Sequence, residues 1–109
     1  MESLNSVSLV GWLELDLSTR WQGEASQCTT FTVRLEEQST DKVYRVYVPV
    51  VCWGKTAERA AELTPGDVIG VQGKLVYRRA QDRPAEPTGR LVVMASSVVC
   101  LVPAPVAGT

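Results

Sequence analysis

A single helical interruption, in a sequence that otherwise alternates with a period of two, most constrains what this chain can fold into. Residues 55–63, KTAERAAEL, set Ala57, Ala60, Ala61 and Leu63 at helical spacing among good helix formers, and TPGD at 64–67 stops them. The flanking pattern is that of half-buried strands. From Val7 to Leu15, Val7, Leu9, Gly11, Leu13 and Leu15 share one face, with Ser8, Val10, Trp12 and Glu14 on the other. Residues 29–37 alternate Phe31, Val33 and Leu35 inward with Thr30, Thr32, Arg34 and Glu36 outward; the segment before them, with Gln22, Gly23, Glu24 and Ser26, reads as a loop. Residues 43–53, VYRVYVPVVCW, are β-branched and aromatic, so a third strand is expected. Pro49 within it requires an edge, a bulge or a strand end. After the helix, residues 67–79 place Ile69, Val71, Gly73 and Leu75 on one side, and Gly70 and Gly73 signal sharp bending. Residues 80–89 read as a polar hairpin loop and 90–102 as a fifth strand.

The order βββαββ predicts an all-β fold, a five-stranded OB-fold barrel with one short helix between strands 3 and 4. Such barrels bind oligonucleotides or sugars on the face of strands 2 and 3 and on the loops joining strands 1 to 2 and 4 to 5. Periodicity alone leaves an SH3-like barrel or a small sandwich open; the position of the helix favours the OB-fold. With 109 residues the chain can bury one core and not two. The expected division is an OB-fold domain over 1–103 and a short flexible tail over 104–109.

Composition narrows the chemistry. There is no histidine, so the commonest general base and metal ligand is absent. Cys28, Cys52 and Cys100 form no CxxC pair and sit in apolar or β-branched runs, which reads as structural thiols instead of a zinc site or disulfide framework. Cys52 beside Trp53 is the one conceivable nucleophile, and nothing in the sequence supplies its base. The expectations are therefore no catalysis, no metal, no cofactor and no small-molecule substrate. No apolar run approaches membrane-spanning length and the N-terminus lacks a basic leader, so no membrane partner and a cytoplasmic location are expected.

Charge is uneven. Residues 1–41 hold Arg20 and Arg34 against seven acidic side chains, whereas residues 72–109 hold Lys74, Arg78, Arg79, Arg83 and Arg90 against Asp82 and Glu86. The whole chain is at −1, where a nucleic-acid binder often carries a basic excess, but its positive charge gathers in one segment.

Four stretches occur in order: LNSVSLVGWLELD, TRW, FTV and WGKTAERAAELTPGDVIGVQGKLVYRR. Together they resemble the bacterial single-stranded DNA-binding protein family, whose members typically read NxVxLVGxLxxDPxxR, then FxLA, then an aromatic before GKxAE, then GxxVxVxGxL. The resemblance covers residues 4–79 and continues to about residue 102. It implies sequence-tolerant binding and protection of single-stranded DNA in replication, recombination or repair. The alternative is an OB-fold protein-interaction or primosome-accessory module with weak DNA affinity.

Single-strand binders stack bases on aromatic rings and track phosphates with cations. Tyr47 and Trp53 share strand parity with Arg45, so they project from one face of the third strand, and both coincide with stacking positions of the family. Trp21 after Arg20 matches the family's Arg-aromatic pair, and Tyr77 lies beside Arg78 and Arg79 at the base of the strand 4 to 5 hairpin. Lys55, Lys74, Arg78, Arg79 and Arg83 are the candidate phosphate contacts. Each has a plainer reading: Trp53 filling the barrel mouth, Trp21 capping it, any one cation a solvated surface charge. Leu4, Val7, Leu9 and Trp12 are the candidate interface residues, because the resemblance implies a homo-oligomer in which first strands pair, a tetramer favoured over a dimer. The departures are Ser39 and Ala80 where family members often carry tryptophan, a short 38–43 loop, and a chain ending at Thr109 without the family's linker and acidic tip. It reads as a short, tail-less or truncated member with weaker, more salt-sensitive binding.

Overall fold

In the computed structural model, which describes residues 2–14, 18–22, 26–79 and 89–105, the alternating segments are strands and the interruption is a helix. The elements are β1 (Val7–Leu13), β2 (Ser18–Gln22), β3 (Ser26–Gln38), β4 (Val43–Trp53), α1 (Gly54–Ala61), β5 (Val68–Arg79) and β6 (Gly89–Val102). β4 has the expected bounds. β1 stops at Leu13, and Leu15 lies outside the described residues.

One expectation is corrected. Part of the segment read as a loop between the first two strands is β2, which pairs with β3 from Ser18↔Thr30 to Gln22↔Ser26. STRWQ has no apolar alternation to announce a strand; its backbone is ordered by the early start of β3 at Ser26. β2 flanks the barrel and is not part of its ring.

Five strands close on one another in the order β1-β5-β6-β4-β3 and back to β1. All pairs are antiparallel except β4 with β6, which are parallel at Val50↔Val93 and Val51↔Met94. The β1–β3 contact is equally brief, at Trp12↔Arg34 and Leu13↔Val33. Long hairpins joined by two short seams make a partly open barrel, the OB-fold expected from the element order. Pro49 sits immediately before the parallel seam, where β4 pairs with β3 and has no second partner among the described residues, as expected of a proline at an edge.

The core is built from the inward parity of every ring strand: Leu13, Phe31, Val33, Val50, Cys52, Ile69, Val71 and Val93. α1 closes the end of the barrel with Ala57 and Ala60, both fully buried, and the Thr29 hydroxyl donates to the Ala57 carbonyl at 3.0 Å. Gly54 starts the helix at φ +62, a left-handed conformation in which a side chain is strained, which allows β4 to turn directly into α1. Asp67 fixes the exit: its carboxylate accepts the Thr64 N–H at 2.9 Å and the Ala104 N–H at 2.6 Å, so the chain after β6 is pinned beneath the helix exit as far as Ala104. Residues 106–109 of the expected tail lie outside the described residues.

β5 bends at a register shift between Gln72 and Gly73. A Cβ on Gly73 would overlap the Met94 carbonyl, whereas one on Gly70 would make ordinary contact with Val99 at 3.4 Å. Gly73→Ala should therefore cost roughly 1–3 kcal/mol of unfolding free energy and Gly70→Ala well under half of that, measured by urea denaturation.

Candidate nucleic-acid interface

Because Val48, Val50 and Cys52 point inward on β4, Arg45, Tyr47, Pro49, Val51 and Trp53 project from its outer side. Tyr47 is 56% exposed and Trp53 36%, and six residues of strand separate them by about 20 Å. Trp53 is not among the residues of the core cluster.

Register extends this face across the sheet. Tyr47 is the partner of Arg34, which is the partner of Trp12 on β1. Four residues further along β4, Thr30, Val51, Met94 and Lys74 are successive partners across β3, β4, β6 and β5. Lys74 is exposed at the end of that row. On the outward parity of the β5–β6 arm, which Met94 and Lys74 share, Arg90 pairs with Arg78. Both arginines are exposed and neither has an acidic partner among the described residues. Lys55 is exposed on the first turn of α1, two residues beyond Trp53.

The other expected site residues take the following places. Tyr77 does not share a face with Arg78: it has the parity of Ile69 and Val71, pairs with Leu91, and is held by the Gly89 N–H, which donates to its hydroxyl at 2.8 Å. It is still 57% exposed, on the inner side of the β5–β6 arm. Arg20 pairs with Cys28, itself the partner of Trp53, so residues 20, 28 and 53 form one row; Trp21 is in the neighbouring row, opposite Gln27. Arg79 pairs with Gly89, and Arg83 lies outside the described residues.

Of the candidate interface residues, Leu4 is 91% exposed, Val7 and Leu9 are half-buried against the chain's own core, and Trp12 is half-buried beneath Arg34. The Arg34 guanidinium carbon lies 5.0 Å from the Trp12 ring centroid, a cation–π contact.

Three features escaped the sequence reading. The first is a small apolar cluster on the outer side, where Cys28, Val51 and Val92 are buried with Val76 and Met94 packed against them; Val51 is only 3% exposed. The unalternated runs VPVVCW and LVVM are the signal that both faces of these strands are covered. The second is Arg90, whose place opposite Arg78 follows only from hairpin register. The third is a charge network: Arg34 pairs with Glu14 at 3.3 Å and Glu36 at 3.5 Å, and Arg45 pairs with Glu36 at 3.4 Å. These charges come together by cross-strand pairing, which sequence spacing does not encode.

The Cys52 thiol lies in the core and donates to the Thr29 carbonyl at 3.4 Å, and burial, with Cys28 nearby, pushes it up to about 11. Among the described residues no three His, Cys, Asp or Glu side chains converge on a metal-sized site, and no helix is long and apolar enough to cross a membrane. The cleft lined by Trp12, Leu13, Glu14, Arg34, Pro65 and Gly66 measures about 220 Å³, below the usual size of a small-molecule pocket.

Residues 4–101 match the Single-strand binding protein family. Single-stranded DNA-binding protein 2 of Listeria innocua is 31% identical over 104 residues, covering 92% of this chain and 65% of that protein. The single-stranded DNA-binding protein of Clostridium tetani is 34% identical over 79 residues, covering 69% of this chain and 54% of that protein. The chain thus spans less than two thirds of the length of these curated relatives. A solved structure of the protein PriB from Ralstonia solanacearum superposes with a TM-score of 0.69 at 16% identity, covering 91% of this chain and 99% of that one, a likeness of fold.

The burial pattern predicts how the thiols behave. Under native conditions a thiol reagent should label Cys100, which is exposed, while Cys28 and Cys52 react only after unfolding. Partial desolvation and the neighbouring Asp67 carboxylate raise the Cys100 thiol, so its labelling rate should climb with alkaline pH beyond the point where an ordinary thiol levels off. Rapid labelling of all three in the folded protein, counted by mass, contradicts this placement.

Proposed function

The chain belongs to the single-strand binding protein family, and on that footing we propose that it binds and protects single-stranded DNA without strong sequence preference and without catalysis. The observation that carries the reading is the outer face of β4, where the exposed rings of Tyr47 and Trp53 stand on the side that also carries Lys74, Arg78 and Arg90. Unpaired bases stack on such rings for about 1–3 kcal/mol each, and cations beside them hold the backbone. Arg78 opposite Arg90 supports the same reading: like charges facing each other across a ladder repel, and an anionic strand laid over them relieves that repulsion.

Arg20, Trp21, Arg45, Lys55, Tyr77, Arg79 and Arg83 are further proposed contacts, Tyr77 from the inner side of the arm. A homo-oligomer suits the reading, since one small barrel holds few nucleotides and symmetry multiplies its contacts. The β1 segment with Leu4, Val7, Leu9 and Trp12 is the proposed contact, a tetramer favoured over a dimer. A cytoplasmic role in replication, recombination or repair is part of the proposal, and membership of the family supports it.

Titration with oligo-dT should quench tryptophan emission, and Trp53→Ala should remove most of that quenching. Tyr47→Ala should weaken binding about 5- to 150-fold, the range for one lost stack. Near-background binding by the wild type at low salt would favour the protein-interaction module instead. Arg78→Ala combined with Arg90→Ala should flatten the plot of log affinity against log salt by about 1.4, two phosphates on a single strand. An unchanged slope places the phosphate track elsewhere.

A further inference from the structure

The Glu36 carboxylate stands on the outer face between two cations. Its Oε1 lies 3.5 Å from Nε of Arg34 and 3.4 Å from Nε of Arg45, so one oxygen serves both guanidiniums. Glu36 and Arg45 are register partners, as are Arg34 and Tyr47, and the four residues occupy adjacent positions on β3 and β4. Glu14 meets Arg34 from the other side at 3.3 Å. Two arginines beside an exposed ring are thus matched by two carboxylates. The match is imperfect: Nε of Arg34 is shielded from solvent yet makes no hydrogen bond, because the approach of Glu36 is an ion pair without donor geometry. The Glu36 contact thus does not use the full fork of Arg34, and a phosphate, which like a carboxylate accepts from two guanidinium N–H groups, competes for the same two arginines.

We infer that Glu36 is a built-in competitor for phosphate: its carboxylate occupies Arg34 and Arg45 in the free protein and sets how many phosphates the face can hold beside Tyr47. This rests on the reading of the outer face as the single-strand surface. It assigns the two ends of that face different tasks. Lys74, Arg78 and Arg90 have no carboxylate on them among the described residues and hold phosphate from the first encounter. Around Tyr47 the ring engages a base while Arg45 reaches phosphate only in competition with Glu36, so contact there depends on stacking more than on salt.

The test compares oligo-dT affinity across a salt series for the wild type, Glu36→Gln, the Glu14→Gln/Glu36→Gln pair, and Glu37→Gln. Glu37 is paired with Tyr44 on the opposite parity, so its variant makes the same change in net charge without touching the network. Glu36→Gln releases Arg45 and leaves Arg34 held by Glu14. It should bind more tightly at low salt and steepen the slope of log affinity against log salt by about 0.7, one added phosphate. The double variant should steepen it by about 1.4 and Glu37→Gln should leave it unchanged. Should Glu36→Gln not fold, as judged by thermal melting, Glu36→Asp keeps the charge but shortens its reach and should steepen the slope by a smaller amount.

A wild type that binds while Glu36→Gln keeps its slope, binds more weakly, or merely equals Glu37→Gln overturns the inference and leaves the single-strand reading standing. Failure of the wild type and every variant to bind overturns both.

Discussion

Strand parity on β4 is the constraint on which the rest of the molecule depends. Val48, Val50 and Cys52 are taken by the core, so the alternate residues have no choice but to face outward. A slip of one residue would bury Tyr47 and Trp53 and expose the core valines. The slip is prevented from both sides, by the long antiparallel ladder to β3 and by the short parallel seam to β6. What the outer face presents is thus settled by what the inner face must hide.

Much of this was legible in the residues. The alternation of apolar positions gave the ring strands and their buried face, and the one helical stretch before the fourth strand separated this barrel from other small β folds. The rings at 47 and 53 could be put on one side by counting in twos. What could not be read was whatever depends on which strand lies beside which. β2 has no apolar signature and is defined by its neighbour. Tyr77 and Arg78 are adjacent in sequence and opposite in space. Arg34, Glu36 and Arg45 look like ordinary solvated charges until the β3–β4 register places them together. The outer cluster of Cys28, Val51 and Val92 was visible only as a lapse in alternation.

The acidic balance of the first half of the chain has a local meaning in the fold. Glu14 and Glu36 are not spread over a distant surface but stand on the arginines of β3 and β4, while the β5–β6 arm keeps its cations open. A net charge of −1 is compatible with an anionic ligand because the two signs are partitioned over one sheet.

Pro49 has a further consequence. Along the stretch of β4 that precedes the parallel seam, the second edge of the strand has no partner among the described residues, and its sequence is rich in valine and tyrosine. Such a border is a template for a foreign chain to zip onto, and repeated addition of that kind leads to aggregates. A residue that offers no amide hydrogen ends the template where it meets the seam. The proline thus limits how far a foreign strand could extend along this rim before it reaches the seam.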